Sequence, residues 1–513
     1  MSISSAIKSI QDIMRKDAGV DGDAQRLGQL SWLLFLKIFD AQEEELEDEQ
    51  DNYTAPIPEA YLWRNWAADS QGITGDELLE FVNNQLIQDL KNLTAPINKN
   101  PRGYVAKEAF SDAFNYMKNG TLLRQVINKL NEIDFTNSQE RHLFGDLYEQ
   151  ILKDLQSAGN AGEFYTPRAV TRFIVQMINP QLGETVLDPA CGTGGFLACT
   201  VDTLKAQVTD SEGQQQLQES VRGVEKKQLP HLLCTTNMLL HGIEVPKNIR
   251  HDNTLNKALS SLDDDDMVDV VVSNPPFGGT EEDGIEKNFP AEYQTRETAD
   301  LFLQYIIEVL NGDLHTNGAS QGKRGRAAVV LPDGTLFGEG VKTKIKKLLL
   351  DECNLHTLVR LPNSVFAPYT SIKTNILFFE KGEPTQDIWY YEVPLPEGVK
   401  AFNKTKPMKL EDFAACAEWW GEGSSLTDKI KRQNRQKNEH AWKVSIDEII
   451  ERNYNLDIKN PHEEEQIVHD PEELLAQYQQ QQQDIGELRN QIKDILAEAL
   501  APSNSSNKTR GNA

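Results

Sequence analysis

No run in this 513-residue chain approaches the roughly 18 consecutive apolar residues that a membrane helix needs. The longest candidate, Trp32 to Phe39, is short and broken by Lys37. Cysteine is scarce, and Cys191, Cys199, Cys234, Cys353 and Cys416 include no C-x-x-C pair. That excludes a disulfide framework and reads as reduced thiols in a cytoplasmic protein. No metal cluster is expected, because His231, His241 and His251 are too evenly and widely spaced for a local site. Positive charge is short as well: 52 Lys+Arg face 79 Asp+Glu, a net charge of −27. Such a balance speaks against a free-standing, nonspecific nucleic-acid binder, since phosphate contacts need Lys and Arg. The N-terminus does not read as a signal peptide; Ile3, Ile7, Ile10 and Met14 space an amphipathic helix.

What is present is the composition of a globular protein, 39% apolar and 26% charged. The length suggests about three domains. Residues 1–155 read as a helical domain, with apolar positions three or four apart in Leu30, Leu33, Leu34, Phe35 and Ile38. The same spacing recurs in Phe110, Phe114, Met117, Leu122, Val126 and Leu130. The acidic run Glu43 to Asp51 is expected to be a solvated helix end.

Residues 156–385 alternate short β-rich runs with helical ones. Strands are expected at Glu184–Leu187, Val221–Val224, Asn248–His251, Val268–Val272, Ala327–Leu331, His356–Leu361 and Thr374–Phe379. This predicts an α/β fold with an open, mainly parallel sheet and helices on both faces. The last two strands lack a long crossover, which suits an antiparallel final strand. Residues 386–470 form an extension in which Ile388–Pro396 suits an edge strand, followed by a Lys/Arg-rich helical stretch. In 471–513 a short heptad seam (Leu474, Tyr478, Gln481, Ile485, Leu488, Ile492, Ile495, Ala499) precedes a tail expected to be disordered from Ser503.

Chemistry concentrates at the strand ends. Val186-Leu-Asp-Pro-Ala-Cys-Gly-Thr-Gly-Gly-Phe196 closes the first strand and opens a helix. Its glycines let backbone approach a ligand, but G-x-G-G is not the dinucleotide fingerprint, so a cofactor other than NAD is considered. Glu225 ends the second strand, where a carboxylate can accept from a ribose diol. Asp252 follows the third strand and is well placed to bond an adenine amino group. The fourth strand ends in Ser273-Asn-Pro-Pro-Phe277. The Asn274 side-chain carbonyl and the Pro275 backbone carbonyl are two acceptors on a rigid turn. They suit a planar exocyclic NH2, taking its protons and exposing its nitrogen lone pair, while Phe277 offers a face for stacking.

Together the glycine motif and Asn-Pro-Pro-Phe resemble the S-adenosylmethionine-dependent amino-methyltransferases that act on adenine N6. Gly162-Glu-Phe-Tyr-Thr-Pro-Arg168 resembles the segment that closes over the cofactor in that family, and locally Thr166 can cap a helix beginning at Pro167. With the helical N-terminal region and Asn453-Tyr-Asn-Leu-Asp-Ile458, nearly the whole chain resembles the modification subunit of type I restriction–modification systems. The resemblance implies the S-adenosylmethionine-dependent methyltransferase fold, a mainly parallel seven-stranded sheet with its last strand antiparallel. It implies that Glu163, Phe164, Tyr165, Thr166, Pro167, Arg168, Asp188, Thr193, Gly194, Gly195, Glu225 and Asp252 hold S-adenosylmethionine. Asn274, Pro275, Pro276 and Phe277 would then hold the target adenine of duplex DNA, flipped from the stack. Relatives using similar turns act on cytosine N4, RNA guanine or protein glutamine, and a non-catalytic cofactor-binding scaffold is an alternative of a different class.

The motif order leaves too little room for a sequence-reading domain. A separate specificity subunit is therefore expected, contacted through the C-terminal helix and the N-terminal domain. The resemblance adds two copies of this chain per specificity subunit, and a restriction subunit as a further component. Charge is uneven: residues 320–445 hold 20 Lys+Arg and 15 Asp+Glu, a net of +5, leaving −32 elsewhere. Lys342, Lys344, Lys346, Lys347 and the cluster Lys429, Lys431, Arg432, Arg435 and Lys437 are candidates to line a DNA-facing cleft.

Overall fold

Nine short segments with β-branched and aromatic residues in alternation form the strands of one sheet. They are β1 (Val186–Asp188), β2 (Val221–Glu225), β3 (Ile249–His251), β4 (Val270–Ser273), β5 (Arg326–Pro332), β6 (Cys353–Arg360), β7 (Thr374–Lys381), β8 (Asp387–Glu392) and β9 (Ala441–Ser445). This computed structural model describes residues 3–135, 148, 166–312, 324–367, 370–403, 405–421 and 434–462, with a few helical positions between 483 and 493.

The strand order is β3-β2-β1-β4-β5-β7-β6-β8-β9. Strands β1 to β5 pair in parallel, and β7 enters antiparallel between β5 and β6. The chain therefore builds outward from β1 through β2 to β3, then returns to the other side of β1 to lay down β4 and β5. The carboxyl ends of β1 and β4 lie side by side at this reversal, where open α/β sheets form their ligand crevice.

The antiparallel strand expected at the end of the seven is β7, but the sheet does not stop there. β8 adds to β6 in parallel and is itself covered by antiparallel β9, so Ile388–Pro396 does not supply the sheet's edge. β9 lies where a Lys/Arg-rich helix was expected. From Trp442 to Ser445 its residues alternate in burial, and Trp442 stacks on Tyr390 of β8 with ring centroids 5.3 Å apart. A period of two outweighs the flanking charge.

Both faces of the sheet are covered. In β5, Ala327, Val329 and Leu331 join the core beneath the helices Thr298–Val309 and Val341–Glu352, while Ala328 and Val330 join the opposite core with the helix Arg168–Ile178. Arg326 at the start of β5 is 1% exposed and fully engaged. It forms two bonds of 3.0 and 2.8 Å to Glu184 and donates to the carbonyls of Ile178 and Asn179. Removing one partner of such a pair costs roughly 3–5 kcal/mol.

The N-terminal region is helical from Ile3–Met14 and Asp23–Glu49 through Gly120–Leu130. The second helix buries Trp32, Leu33, Leu34, Phe35 and Leu36 in succession, so it is wrapped on every side. Its core continues into Leu232, Leu233, Leu239 and Leu240 of the helix Gln228–Leu240, which joins the helical region to the sheet. The run Phe110 to Leu130 is not one helix: Phe110 ends one, Phe114 is 62% exposed, and a second begins at Gly120 with Asn119 as its cap. Not all of the acidic run is solvated either. Glu43 is buried, bonded by Tyr53 and paired with Arg102 at 2.5 Å.

Residues Met1–Asn460 form one compact unit and Pro461–Ala513 another. In the second unit Ile485, Leu488 and Ile492 are helical and exposed; the rest of the heptad seam and the segment from Ser503 lie outside the described residues. Among the described residues, no helix is long and apolar enough to cross a membrane, and no group of three or more His, Cys, Asp or Glu could hold a metal ion. The five cysteines are buried and none forms a disulfide.

Candidate functional site

The strand reversal holds a cavity of about 470 Å3, within the roughly 300–1,000 Å3 usual for small-molecule sites. Four of its walls come from the carboxyl ends of β1 to β4. Asp188 ends β1; Glu225 ends β2; Asp252 follows β3; Asn274 follows β4. Thr166, Gly195 and Pro276 also line it.

Asp188 is 1% exposed. Its Oδ1 accepts from the Ser273 hydroxyl at 2.8 Å and the Ala190 amide at 3.1 Å, while Oδ2 is buried without a partner. Burial pushes its pKa up to about 7, aided by Glu225 and opposed by those two bonds. Glu225 is also raised by burial, against the backbone N–H donors of Lys227 at 2.7 Å and Gly192 at 3.1 Å. Each of its oxygens keeps a second lone pair for a ligand. Two buried acidic side chains, with Lys226 and Lys227 exposed on the same wall, equip this cavity for a ligand carrying hydroxyl or amino donors.

A group whose folded pKa exceeds its unfolded value stabilises at low pH and loses that contribution as pH rises through the folded pKa. For Asp188 the window runs from 3.8 to about 7, on the order of 4 kcal/mol. Buried His231, lowered from 6.5 to about 4, acts oppositely across most of that range. The expected result is therefore a difference: Asp188→Asn should gain stability over the wild type as pH rises from 5 to 7. Denaturant midpoints at four pH values would show it; parallel curves would contradict it.

The glycine turn reaches the ligand because its backbone takes conformations closed to other residues. Gly192 has φ 53° and Gly194 φ 83°. A Cβ on Gly194 would stand 2.8 Å from the Cys234 Sγ. Arg168 braces the turn by donating to the Gly195 carbonyl at 2.9 Å, and the Thr193 carbonyl accepts from Asn237 at 3.1 Å. Arg168, Thr193 and Gly194 thus support the wall and do not line the cavity. Cys191 does line it, its thiol pushed up by the neighbouring Cys234 thiol and by burial.

Thr166 does not cap a helix. The helix begins at Arg168 with Pro167 at its cap position and no side-chain cap. The Thr166 hydroxyl instead accepts from Asn274 Nδ2 at 3.0 Å, which leaves Asn274 Oδ1 buried and unpartnered. Glu163, Phe164 and Tyr165 lie outside the described residues.

A second cavity of about 460 Å3 adjoins the first. Phe277, Pro332, Gly334 and Thr335 line it, and Gly278, Gly279, Thr280 and Thr298 line both. The Phe277 ring is held edge-to-face by Phe366, centroids 5.3 Å apart. Pro275 is buried and lines neither cavity. Thr298 and Phe302 carried no sequence signal, because only the packing of their helix brings them to the crevice; Phe366 was equally silent, lying in the β6–β7 connection.

The basic residues proposed for a cleft are mostly engaged. Lys346 is 1% exposed and donates to the carbonyls of Leu336 and Gly338; Lys342 bonds Glu297 and Asp300, and Lys347 bonds Asp351. Arg435 is buried against the rings of Trp419 and Trp420 and bonds Thr357. Lys429, Lys431 and Arg432 lie outside the described residues.

Comparison with known proteins agrees with this architecture. Residues 139–470 match the family described as N-6 DNA Methylase, and residues 3–130 the HsdM N-terminal domain. The EcoEI methylase subunit of an Escherichia coli type I restriction enzyme is 72% identical over 508 residues, covering 99% of this chain and all of the relative. A modification subunit of a type I restriction enzyme from Vibrio vulnificus superposes with a TM-score of 0.79 at 45% identity, covering 91% of this chain and 98% of that one. A structure described by the assembly and conformational transition of the type I R-M system superposes equally well, with TM-score 0.79 and 36% identity over 97% of this chain and 98% of that one. The chain belongs to the N-6 DNA methylase family, among the methylase subunits of type I restriction enzymes.

Proposed function

We propose that this chain transfers a methyl group from S-adenosylmethionine to N6 of adenine in duplex DNA, in the cytoplasm, within a complex whose specificity subunit reads the target. The observation that carries this reading is the pair of adjoining cavities, with Asn274, whose Oδ1 is unpartnered, lining the first and Phe277 of the same turn lining the second. The first cavity suits S-adenosylmethionine: Glu225 would take the ribose hydroxyls, Asp252 the adenine amino group, and Asp188 with the glycine turn the remaining polar and cationic atoms. Bound there, this cofactor supplies an electrophilic methyl that needs no metal.

The second cavity would take the target base. Thr166 fixes the Asn274 amide so that Oδ1 would accept a proton of the base's NH2; the Pro275 carbonyl on the same turn is the acceptor proposed for the other, although Pro275 lines neither cavity before a base is seated. That arrangement would leave the nitrogen lone pair free to attack toward the first cavity, past the wall that Gly278 and Gly279 share with Thr280 and Thr298. Phe277, braced by Phe366, offers its ring to the flipped base. Positioning of this kind is the main catalytic resource when the electrophile needs no activation.

The net charge of −27 and the engagement of Lys342 and Lys346 by neighbouring carboxylates and carbonyls support dependence on partners for DNA affinity. The reading includes a specificity subunit shared by two copies of this chain and a restriction subunit; a similar chain described in the assembly of a type I R-M system supports a multi-subunit complex. Purified alone, the chain should give little site-specific methylation of duplex DNA from labelled cofactor; adding the specificity subunit should raise it by orders of magnitude. Robust specific methylation by the chain alone would refute that part of the reading.

A further inference from the structure

The loop after Asn-Pro-Pro-Phe is the wall common to both cavities, and one carboxylate fastens it. Glu281 has a side chain only 10% exposed. Its Oε2 accepts from Lys226 Nζ at 3.3 Å and from Asn253 Nδ2 at 3.2 Å. Its Oε1 lies 3.3 Å from the Thr298 hydroxyl, which is equally near the Gly279 carbonyl and donates to one of them at a time. The Glu281 backbone is held from behind, its N–H donating to Arg296 at 2.9 Å and its carbonyl accepting from the Arg296 guanidinium at 2.9 Å.

The partners are what give this cluster meaning. Lys226 directly follows Glu225, and Asn253 directly follows Asp252, so both are carried by the acid-bearing loops of the first cavity. Thr298 opens the helix that bounds the second, and Gly279 and Thr280 belong to the shared wall. Lys226 also pairs with the exposed Glu282 at 3.1 Å, but Glu281 alone joins Lys226, Asn253 and Thr298, so a displacement of either acid-bearing loop on ligand binding would pass through it to the wall of the neighbouring cavity.

We propose that Glu281 is a positioning residue that couples the two cavities: occupation of the first sets the loop Gly278–Glu281 and so shapes the second for its base. This inference rests on the reading of the cavities given above. Lys226 supplies the charge-assisted contact, and Asn253 and Thr298 the neutral ones.

The test uses the complex assembled with its specificity subunit. Affinity for a target duplex is measured with and without sinefungin, an unreactive analogue of the cofactor, for the wild type, Glu281→Gln and Glu281→Ala. The wild type should bind duplex more tightly with the analogue, within the roughly 5–150-fold range of ordinary coupling. In Glu281→Ala that factor should fall close to one, with kcat reduced more than the KM for cofactor is raised. Glu281→Gln keeps an acceptor but loses the charge, and should retain part of the coupling; it carries the test if the alanine variant fails to assemble. An unchanged coupling factor, no coupling in the wild type, or a loss confined to analogue affinity would each overturn the proposal. Failure of the underlying reading looks different, because the wild-type complex would then bind no analogue or transfer no methyl group.

Discussion

Asn274→Ala should abolish methyl transfer by the assembled complex while leaving cofactor binding largely intact. The Asn274 amide is held by one bond, from Nδ2 to the Thr166 hydroxyl at 3.0 Å, and its Oδ1 is a buried acceptor with nothing to accept. A buried polar atom left unsatisfied costs stability, and this one belongs to a residue lining the cavity, where a ligand can complete the bond. Removing one preorganised partner of a reacting group typically lowers kcat by about 10²–10³-fold, and here the same change also releases the turn that carries the Pro275 carbonyl. Single-turnover rates with labelled cofactor, beside calorimetry of cofactor binding, separate the two effects. Thr166→Val should act in the same direction but less, because it loosens the amide and leaves the acceptor in place. Retained turnover in Asn274→Ala would refute the assignment of this turn to the base.

Gly194→Ala should cost both stability and cofactor affinity, whereas Gly195→Ala should cost far less stability. The two glycines are neighbours in one motif and physically unlike. Gly194 has φ 83°, and its added Cβ would meet the Cys234 Sγ at 2.8 Å. The left-handed backbone alone costs roughly 1–2 kcal/mol for an L-residue, and the clash adds to it. Since 1.4 kcal/mol is a factor of about ten in binding, a loss of tenfold or more in cofactor affinity is expected if the turn shifts to relieve the strain. Gly195 has an ordinary φ, and its Cβ would meet only Thr171 Cγ2, at 3.6 Å. Cys234→Ala in the Gly194→Ala background should recover the steric part of the loss and not the backbone part. Equal stability losses for the two glycines would contradict this account of the turn.

The parts of the site that the sequence made legible share one property: each is set by a strand end. Asp188, Glu225, Asp252 and Asn274 were found because a short apolar run followed by a polar residue fixes where a side chain emerges, and the parallel order then gathers the four. What stayed hidden depends on tertiary neighbours. Thr166 suited a helix cap by local chemistry, yet its hydroxyl meets an amide 108 residues away. Thr298, Phe302 and Phe366 are ordinary helix and loop residues until the fold brings them to the crevice. Lys346 and Arg435 were candidates for a DNA-facing cleft but are buried against carbonyls and indole rings, which a count of charges cannot reveal. β9 was masked by the charge around it, although its alternating apolar residues were the truer signal.

The opening charge balance takes on a different meaning in this light. An acidic chain whose central lysines are spent on carbonyls and carboxylates has little left for phosphate. It does, however, have a paired set of cavities suited to an adenine-bearing cofactor and a second planar base. Under the proposed reading a partner supplies DNA affinity and this chain the chemistry.

The central claim is tested most directly by identifying the nucleoside formed. Duplex DNA carrying the target site, incubated with the complex and methyl-labelled S-adenosylmethionine, is digested to nucleosides and resolved by mass spectrometry. The account predicts the label in N6-methyladenine; label in N4-methylcytosine, or in no nucleoside, would contradict it.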